Sequence, residues 1–171
     1  MKKKVIRSNE IPVNSIIARG FTHIHYCDSY RADLSQHPEE TVDGLINKLF
    51  RIPGWVVFLM KIRNTLMKPL GLKTDFDFSD RKPRNYYTVG KRAVYFKVID
   101  RNEQEIVMAE KDTHLNFRTS VFVEENSQVR YAWLTTLVHY NNSFGRLYFI
   151  PVKPFHRIII KSLMRKLSDT K

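Results

Sequence analysis

The chain has 171 residues and a mass of 20.3 kDa, which is enough for one domain with a substantial hydrophobic core. Its 43% hydrophobic and 27% charged residues argue against a disordered chain, and no uninterrupted apolar stretch approaches the ~20 residues of a transmembrane helix. Lys and Arg outnumber Asp and Glu by 29 to 17, and the net charge of +12 makes nucleic acid, anionic lipid and acidic ligands the partner classes to consider.

The basic residues cluster in three segments, residues 1–7, 61–92 and 146–171. No zinc-finger spacing, RNP-like aromatic pattern or KH-type loop accompanies them, so the sequence predicts no specific nucleic-acid partner. A solvated basic surface is the commonest reason for such clusters. The basic start of the chain leads into polar residues rather than the apolar core of a signal peptide, and the one cysteine, Cys27, fits a reducing compartment. A cytoplasmic location is therefore expected.

In chain order, residues 1–20 are predicted to be a basic N-terminal extension and residues 21–171 a single domain. Residues 21–34 are rich in aromatic and branched side chains that roughly alternate with polar ones, which predicts a first strand or strand pair. Pro38 is predicted to open a helix with apolar positions at helical spacing: Val42, Leu45, Ile46, Leu49 and Phe50. Pro53 is predicted to open a second helix, which presents Trp55, Phe58, Leu59, Ile62 and Leu66 at the same spacing.

The second half of the sequence changes to strand periodicity. Residues 73–87 lack periodicity and predict a long loop, whereas alternation from Gly90 predicts a strand near residues 94–99. Further strands are predicted over about 105–112, 114–124 and 128–140, joined as an antiparallel meander. The chain then returns to helical spacing, with Phe155, Ile158, Ile159, Leu163 and Leu167 on one side, and Pro151 and Pro154 are expected to kink or divide this helix.

This order of elements predicts an α+β fold in which a curved antiparallel sheet wraps a long C-terminal helix. Three segments narrow the prediction: WVVFLMKIRNTLMKPLGLK (55–73), DTHLNFR (112–118) and NSFGRLYFIPVKPFHR (142–157). Together they resemble a bacterial family catalogued as domain of unknown function 2867, within the START-like helix-grip (SRPBCC) superfamily. The resemblance implies a ligand cavity between the sheet and the C-terminal helix, as in superfamily members that bind lipids, polyketides or hormones. It carries no established activity.

The resemblance also implies a redox association, because some relatives are attached to a nucleotide-binding oxidoreductase domain. The six glycines of this chain are isolated and form neither a G-x-G-x-x-G nor a P-loop pattern. No dinucleotide or other cofactor is therefore predicted, and a redox role would need a partner protein.

The candidate ligand site lies on the last predicted hairpin. Turning the chain at Asn126-Ser127 places Arg118 opposite Thr135, Asn116 opposite Leu137 and His114 opposite His139. One face of this hairpin is apolar and the other is mixed, and the mixed face supplies the predicted ligand-binding residues: Arg118, Asn116, His114, His139, Thr135 and Trp133. The outer, solvated face of an antiparallel sheet has a similar composition, so both interpretations stay open.

Arg118 is the strongest candidate because a guanidinium group can hold a carboxylate or phosphate through two parallel hydrogen bonds. An ion pair with Asp112 or Glu110 is the structural alternative. His114 and His139 are candidates for proton transfer near neutral pH, and Arg146 and His156 are candidates for the cavity mouth.

Other constellations are weaker. His23 and His25 share one face of a strand but have no third ligand at a recognisable spacing, so no metal site is predicted. Cys27 fits a small buried side chain better than a nucleophile. No G-x-S-x-G or H-E-x-x-H motif is present, and no catalytic residue can be assigned.

The sequence is compatible with three functions. The leading one is binding of a small amphipathic or acidic molecule in the cavity. The second is a cyclase- or hydrolase-like enzyme that uses His114, His139 and Arg118 in the same cavity. The third is a basic adaptor that binds an anionic membrane or a partner protein through residues 61–92 and the C-terminal helix.

Overall fold

The computed structural model describes residues 5–51, 53–68, 83–126 and 129–169. Within these ranges the backbone forms seven strands and three helices. The strands are β1 (Ile6–Ser8), β2 (Tyr26–Asp33), β3 (Arg92–Ala93), β4 (Phe96–Arg101), β5 (Glu105–Lys111), β6 (Leu115–Glu125) and β7 (Arg130–Tyr140). The helices are α1 (Val42–Leu49), α2 (Gly54–Met67) and α3 (Ser143–Asp169). The PLGLK part of the first family-like segment and most of the predicted loop over residues 73–87 lie outside the described residues.

The seven described strands form one curved, open sheet in the order β1-β2-β7-β6-β5-β4-β3. Every neighbouring pair is antiparallel. β4 to β7 form the predicted meander, and β2 pairs with β7, the last strand of the chain. The predicted α+β architecture is confirmed, with two short helices after the first predicted strand and a long helix at the C-terminal end.

Helix α1 begins at Val42, not at Pro38 as the sequence predicts. The Thr41 side chain accepts a hydrogen bond from the backbone N–H of Gly44 at 3.1 Å, and the Thr41 backbone is extended, so Thr41 is the N-cap. Three carbonyl groups of the preceding turn accept hydrogen bonds from the Arg130 guanidinium group on β7. These contacts keep the turn at Pro38 out of the helix.

Helix α3 is continuous from Ser143 to Asp169 and contains both Pro151 and Pro154. The prolines therefore do not divide the segment, and the predicted alternative, a kink, stays a prediction. Both are exposed, so their rings and missing N–H groups lie on the side of α3 away from the sheet. Phe149 on one side of the prolines and Leu163 on the other are both buried, and this packing holds the two halves in one helix.

One face of the sheet packs against α1 and α3. At the C-terminal half of α3, Leu163, Met164 and Leu167 belong to a core cluster with strand and α1 side chains, among them Tyr30, Leu45, Ile46, Leu49, Ile106, Met108, Val121 and Leu134. Near the start of α3, Phe149 packs in a second cluster with Tyr26, Leu115 and Val138. Side chains thus fill the layer between the sheet and α3 at both ends of the helix.

The register of the β6–β7 hairpin differs from the prediction. Arg118 pairs with Leu137 rather than Thr135, and Asn116 pairs with His139 rather than Leu137. The connection between the strands runs from Asn126 to Val129. The Asn126 N–H donates to the Val129 carbonyl, and the Val129 N–H donates to the Asn126 side chain. The connection is longer than the predicted two-residue turn, and this moves the pairing by two residues. A shift of two keeps every strand side chain on its face, because the side-chain period of a strand is two. Within β6 and β7 the predicted apolar and mixed faces therefore hold although the predicted partners are wrong, whereas His114 precedes β6 and does not lie on the mixed face.

Candidate functional site

The mixed face of the sheet is turned away from α3, and residues 9–20, between β1 and β2, cross part of it; we call them the crossing segment. Ile16 and Ile17 of this crossing segment form a small apolar cluster with Val107 of β5 and Leu137 of β7. Residues 5–20, predicted as an extension, thus supply β1 and part of a second layer on the sheet. This layer buries the centre of the mixed face and leaves a groove at its edge.

Glu105 at the start of β5 is the first anchor of the crossing segment. Its carboxylate accepts hydrogen bonds from the Ser15 hydroxyl and from the Ile16 backbone N–H, each at 2.7 Å. The residue is fully buried, and this burial raises the pKa of Glu105 although both hydrogen bonds favour the ionised form. A buried carboxylate that accepts from one backbone N–H and one hydroxyl of the same segment holds that segment in one position.

Arg118 on β6 is the second anchor. Its Nη1 donates to the Ile17 carbonyl at 3.0 Å and to the Arg19 carbonyl, and its guanidinium carbon lies 4.8 Å from the centre of the Phe21 ring. Burial lowers the pKa of Arg118, and nearby Asp100 opposes that shift.

The alternative partners predicted for Arg118 are engaged elsewhere. The Glu110 carboxylate pairs with Arg92 at 3.3 Å, and the Asp112 carboxylate lies 3.4 Å from the His114 ring. The Arg118 side chain therefore reaches the crossing segment rather than an acidic neighbour on the sheet.

A groove of about 540 Å³ opens beside Arg118, between the crossing segment and the outer face of β4 to β7. Its apolar floor includes Ile99, Val107 and Ala109. Its walls carry the cationic side chains Arg19, Lys111 and Arg118, the imidazoles His23 and His139, and the acidic side chain Asp100. Arg19 and Asp100 lie 3.9 Å apart as an exposed ion pair. An apolar floor with cationic walls suits a small molecule that has an acidic group.

Three histidines meet at one end of the groove. His139 lies 4.8 Å from His25 and 6.1 Å from His23 between ring centres. His139 Nδ1 lies 3.0 Å from the His23 carbonyl and donates to it, whereas His25 Nδ1 accepts from the Tyr140 N–H at 3.1 Å. Burial lowers the pKa of His25, and the neighbouring His139, Arg146 and His23 lower it further. The cluster therefore favours neutral His25 at neutral pH.

The structure brings together three of the six residues predicted to bind ligand: Arg118, Asn116 and His139 all line the groove. Asn116 also donates to the Asn141 side chain at 3.0 Å. The ligand roles of these residues remain predictions.

The other three predicted residues lie elsewhere. Thr135 is fully buried and donates to Ser29 at 3.1 Å beneath the crossing segment. Trp133 donates to Glu124 at 2.6 Å on a separate part of the outer face. His114 precedes β6 and is buried against Tyr148 of α3, with 4.6 Å between ring centres. The predicted pairing of His114 with His139 for proton transfer is therefore wrong, because the two rings lie in different layers.

A second polar cluster lies between the sheet and α3, and of its residues only His156 was predicted from the sequence as a candidate. Asp28 on β2 is fully buried, accepts a hydrogen bond from the Tyr26 hydroxyl at 2.6 Å and lies 3.4 Å from the His156 ring and 3.9 Å from Arg7. Arg157 donates to the Tyr26 hydroxyl at 3.3 Å. Asp28 lies on the same face of β2 as the buried Tyr26 and Tyr30. A carboxylate at a core position of a predicted strand is unusual, and it was the one feature of the sequence that could have indicated this cluster.

The cluster shifts the pKa values of its members in opposite directions. Burial raises the pKa of Asp28, but His156 and Tyr26 more than offset this, so the pKa lies below its ordinary value. Burial and the hydrogen bond to Asp28 raise the pKa of Tyr26 to about 12. Burial and the Asp28 charge also raise the pKa of Tyr30 on the same strand face. The folded chain thus favours ionised Asp28 beside neutral tyrosines.

Asp28→Asn is expected to lower the free energy of unfolding at pH 7 by about 1–3 kcal/mol, because the buried Tyr26 and His156 groups lose their ionised partner. The wild-type protein should lose stability as pH falls below about 5, because the unfolded chain protonates Asp28 before the folded chain does. The variant should lose less over the same range. Urea denaturation at pH 7, 5, 4 and 3 measures both effects, and an equal acid loss in the two proteins would assign the acid sensitivity to other carboxylates.

Cys27 fits the simpler interpretation of the sequence, a small side chain that is partly buried. Cys27 is half-buried beside the apolar cluster of the crossing segment, and burial raises the pKa of its thiol. Among the residues that the structure describes, no group of three His, Cys, Asp or Glu side chains has a geometry that could hold a metal ion.

Comparison with known proteins gives one family. A family model described as "Protein of unknown function (DUF2867)" matches residues 21–163. No curated protein and no solved structure matches the chain significantly.

Proposed function

The chain belongs to this family of unknown function, and on the geometry of its groove we propose that it binds a small acidic molecule, a carboxylate or a phosphate ester with an apolar body. The observation that carries the proposal is the grouping of Arg19, Lys111 and Arg118 around an apolar floor, with Asp100 as their acidic neighbour. The proposal keeps the predicted class of ligand. It moves the site from beneath α3 to the outer face of the sheet.

The three cationic side chains would contribute differently to binding. Arg118 is fixed by the backbone carbonyl groups of Ile17 and Arg19, so its charge has a defined position before the ligand enters. Lys111 ends β5 and is exposed, and the Arg19 side chain is also mostly exposed. These two can adjust to a ligand head group, which would displace the weak, solvent-screened pairing of Arg19 with Asp100.

The floor of the groove sets the size and polarity of the rest of the ligand. Ile99, Val107 and Ala109 present short apolar side chains from two adjacent strands. A volume of about 540 Å³ fits a compact aromatic or branched body and is within the usual range of small-molecule sites. We therefore expect aromatic acids, short acyl-phosphates and prenyl phosphates to bind better than inorganic phosphate alone.

Ligand binding can be tested with a panel of aromatic acids, short fatty acids, acyl-phosphates and prenyl phosphates, screened by thermal shift and then titrated by calorimetry. Lys111→Ala and Arg19→Ala should each weaken the best ligand about tenfold, because each removes one charge-assisted contact. Lys161→Ala is the matched control, since it removes the same charge from the exposed side of α3, across the sheet. A panel without any binder, or an equal loss in the control, would contradict the proposal.

A further inference from the structure

Helix α3 has apolar side chains on two opposite sides along its N-terminal half. The side facing the sheet contributes buried Phe149 and the close approach of Gly145. The opposite side exposes five large apolar side chains: Phe144 (38% exposed), Leu147 (65%), Ile150 (64%), Phe155 (52%) and Ile158 (58%). We call these five residues, together with the exposed Pro151 and Pro154, the outer stripe. A helix that rests on a core and faces water is normally polar on its outer side.

Helical geometry accounts for the continuity of the outer stripe. Positions 144, 147, 151, 154 and 158 are three or four residues apart and therefore follow one side of the helix for four turns. At 1.5 Å per residue, this side is about 20 Å long. Contiguous apolar surface of this extent on a soluble domain marks an interaction site.

Helix α2 also exposes apolar side chains at helical spacing. Trp55 (43% exposed), Phe58 (62%) and Ile62 (42%) follow one side of α2. A Trp and a Phe on an exposed helix face are typical of the membrane–water interface, where an amphipathic ring places its apolar part toward lipid.

The charge around the outer stripe selects its partner. Helix α3 carries six Lys or Arg residues and one acidic residue, Asp169 at its end, and α2 has basic residues but no Asp or Glu. No Asp or Glu occurs in the sequence from residue 126 to residue 168. Arg146 lies within the apolar stretch and Lys161 and Arg165 follow it, and all three are exposed. An apolar stripe flanked by cations complements an anionic surface that has an apolar interior.

We propose that the outer stripe of α3 docks on the surface of an anionic phospholipid bilayer, with the helix lying in the plane of the interface. Its apolar side chains would enter the acyl boundary, while Arg146, Lys161 and Arg165 reach the phosphate groups. None of the described helices is long and apolar enough to cross a bilayer. A parallel, interfacial orientation is the one that buries the stripe and leaves the sheet side of α3 on its own core.

A second copy of the chain is the main alternative occupant. Pairing two outer stripes would bring two cationic helices together, in a protein with a net charge of +12, without acidic residues on α3 to offset the repulsion before Asp169. An anionic lipid surface instead attracts basic residues that lie close to it. The charge pattern therefore favours lipid over self-association.

Vesicle cosedimentation tests the docking proposal with the full chain. Vesicles of phosphatidylcholine with 30% phosphatidylglycerol should bind the protein, whereas pure phosphatidylcholine vesicles should bind it at least tenfold more weakly. Leu147→Ser combined with Ile150→Ser should reduce binding to the anionic vesicles about tenfold or more, because two largely exposed side chains that would enter the acyl boundary become polar. Val13→Ser is the matched control, since Val13 is 79% exposed on the crossing segment and lies outside α3.

The charge arm of the test uses Lys161→Ala combined with Arg165→Ala. This variant should bind anionic vesicles more weakly at low salt, and raising the salt from 0.05 to 0.5 M should reduce wild-type binding steeply. Lys111→Ala should leave vesicle binding unchanged, so that a failure of the groove proposal and a failure of the docking proposal are distinguishable.

Three results would overturn the docking proposal. One is equal binding to neutral and anionic vesicles, and another is no loss of binding in the Leu147/Ile150 variant. The third is a dimer in light scattering that this variant converts to monomer while no vesicle binding is detected, which would assign the outer stripe to a second copy of the chain.

Discussion

Gly145→Ala is expected to lower the free energy of unfolding by about 3 kcal/mol, a large effect for the addition of one methyl group. A Cβ atom at position 145 would lie 1.9 Å from the backbone oxygen of His114 and 2.8 Å from its carbonyl carbon. Both distances are far below van der Waals contact. Because the obstacle is backbone rather than a flexible side chain, either the start of α3 or the turn before β6 must move.

The neighbouring hydrogen bonds explain why neither element can move cheaply. The Asn142 side chain accepts from the Gly145 N–H at 2.9 Å and donates to the Thr113 carbonyl at 3.1 Å. The Asn141 N–H donates to the His114 carbonyl at 3.0 Å, and its side chain donates to the Asp112 carbonyl at 2.7 Å. Separating α3 from the turn would break several of these bonds in a partly buried junction.

Gly54→Ala provides the control for Gly145→Ala. Gly54 is the first residue of α2, and a Cβ atom there would meet no atom within 4 Å. Alanine is the better helix former, so this variant should be as stable as the wild-type protein or slightly more stable. Urea denaturation, monitored by circular dichroism, gives the free energy of unfolding of the three proteins. Equal stability of Gly145→Ala and wild type would show that the junction is loose.

The junction at Gly145 illustrates what the sequence could predict. Close packing or a helix entry at Gly145 could be predicted from the residue type, because glycine permits backbone approach. Its contact with His114 could not, since the predicted strand began at residue 114 and placed that histidine on the mixed face. Two asparagine side chains define the true start of β6, and side-chain hydrogen bonds of this kind leave no periodic signal.

The face of the sheet on which each side chain lies was predictable, but the residues that pair on neighbouring strands were not. Alternation alone assigned Val121 and Leu134 to the core and Arg118 and His139 to the opposite side, and an error of two residues in register preserves that assignment. Because the loop length sets the register, the predicted partner of Arg118 was wrong.

The layer over the mixed face had no signal in the sequence. Residues 9–20 show neither helical nor strand periodicity. Their position depends on two side chains, Glu105 and Arg118, that are about 90 to 100 residues away in the sequence. Neither side chain differs by sequence pattern from an exposed charge on a strand. The groove exists only because this segment is anchored, so Arg118, Asn116 and His139 could be named from the sequence, but neither the cavity nor its other lining residues could be.

The second large effect is expected at the buried ion pair between Asp43 of α1 and Arg101 of β4. The carboxylate of Asp43 accepts two hydrogen bonds from the guanidinium group, each at 3.1 Å, and a third from the Tyr87 N–H at 2.7 Å. Arg101 also donates to the Tyr87 carbonyl at 2.6 Å and lies 3.8 Å from the centre of the Tyr86 ring. The pair thus fastens α1, β4 and the segment before β3 to one another.

Asp43→Ala is expected to lower the free energy of unfolding by about 3–5 kcal/mol, because it leaves the largely buried Arg101 without its counter-charge. Arg101→Met should also destabilise, since the Asp43 carboxylate loses two of its three hydrogen bonds and the Tyr87 carbonyl loses its Arg101 donor. The double variant should cost clearly less than the sum of the two, because it leaves no uncompensated buried charge. Urea denaturation of the four proteins gives the coupling energy.

Lys48→Ala is the control for the buried pair. Lys48 forms an ion pair with Glu40 on the surface of the same region, where its side chain is 41% exposed, and the variant should cost less than about 1 kcal/mol. The two variants compare an exposed ion pair with a buried one. Solvent screens the Lys48 charge in the folded and in the unfolded chain. Arg101 without Asp43 must instead either remain charged in the interior or draw α1 away from β4. Additive effects of Asp43→Ala and Arg101→Met would mean that water already reaches the pair and that Tyr87, rather than the ion pair, joins these elements.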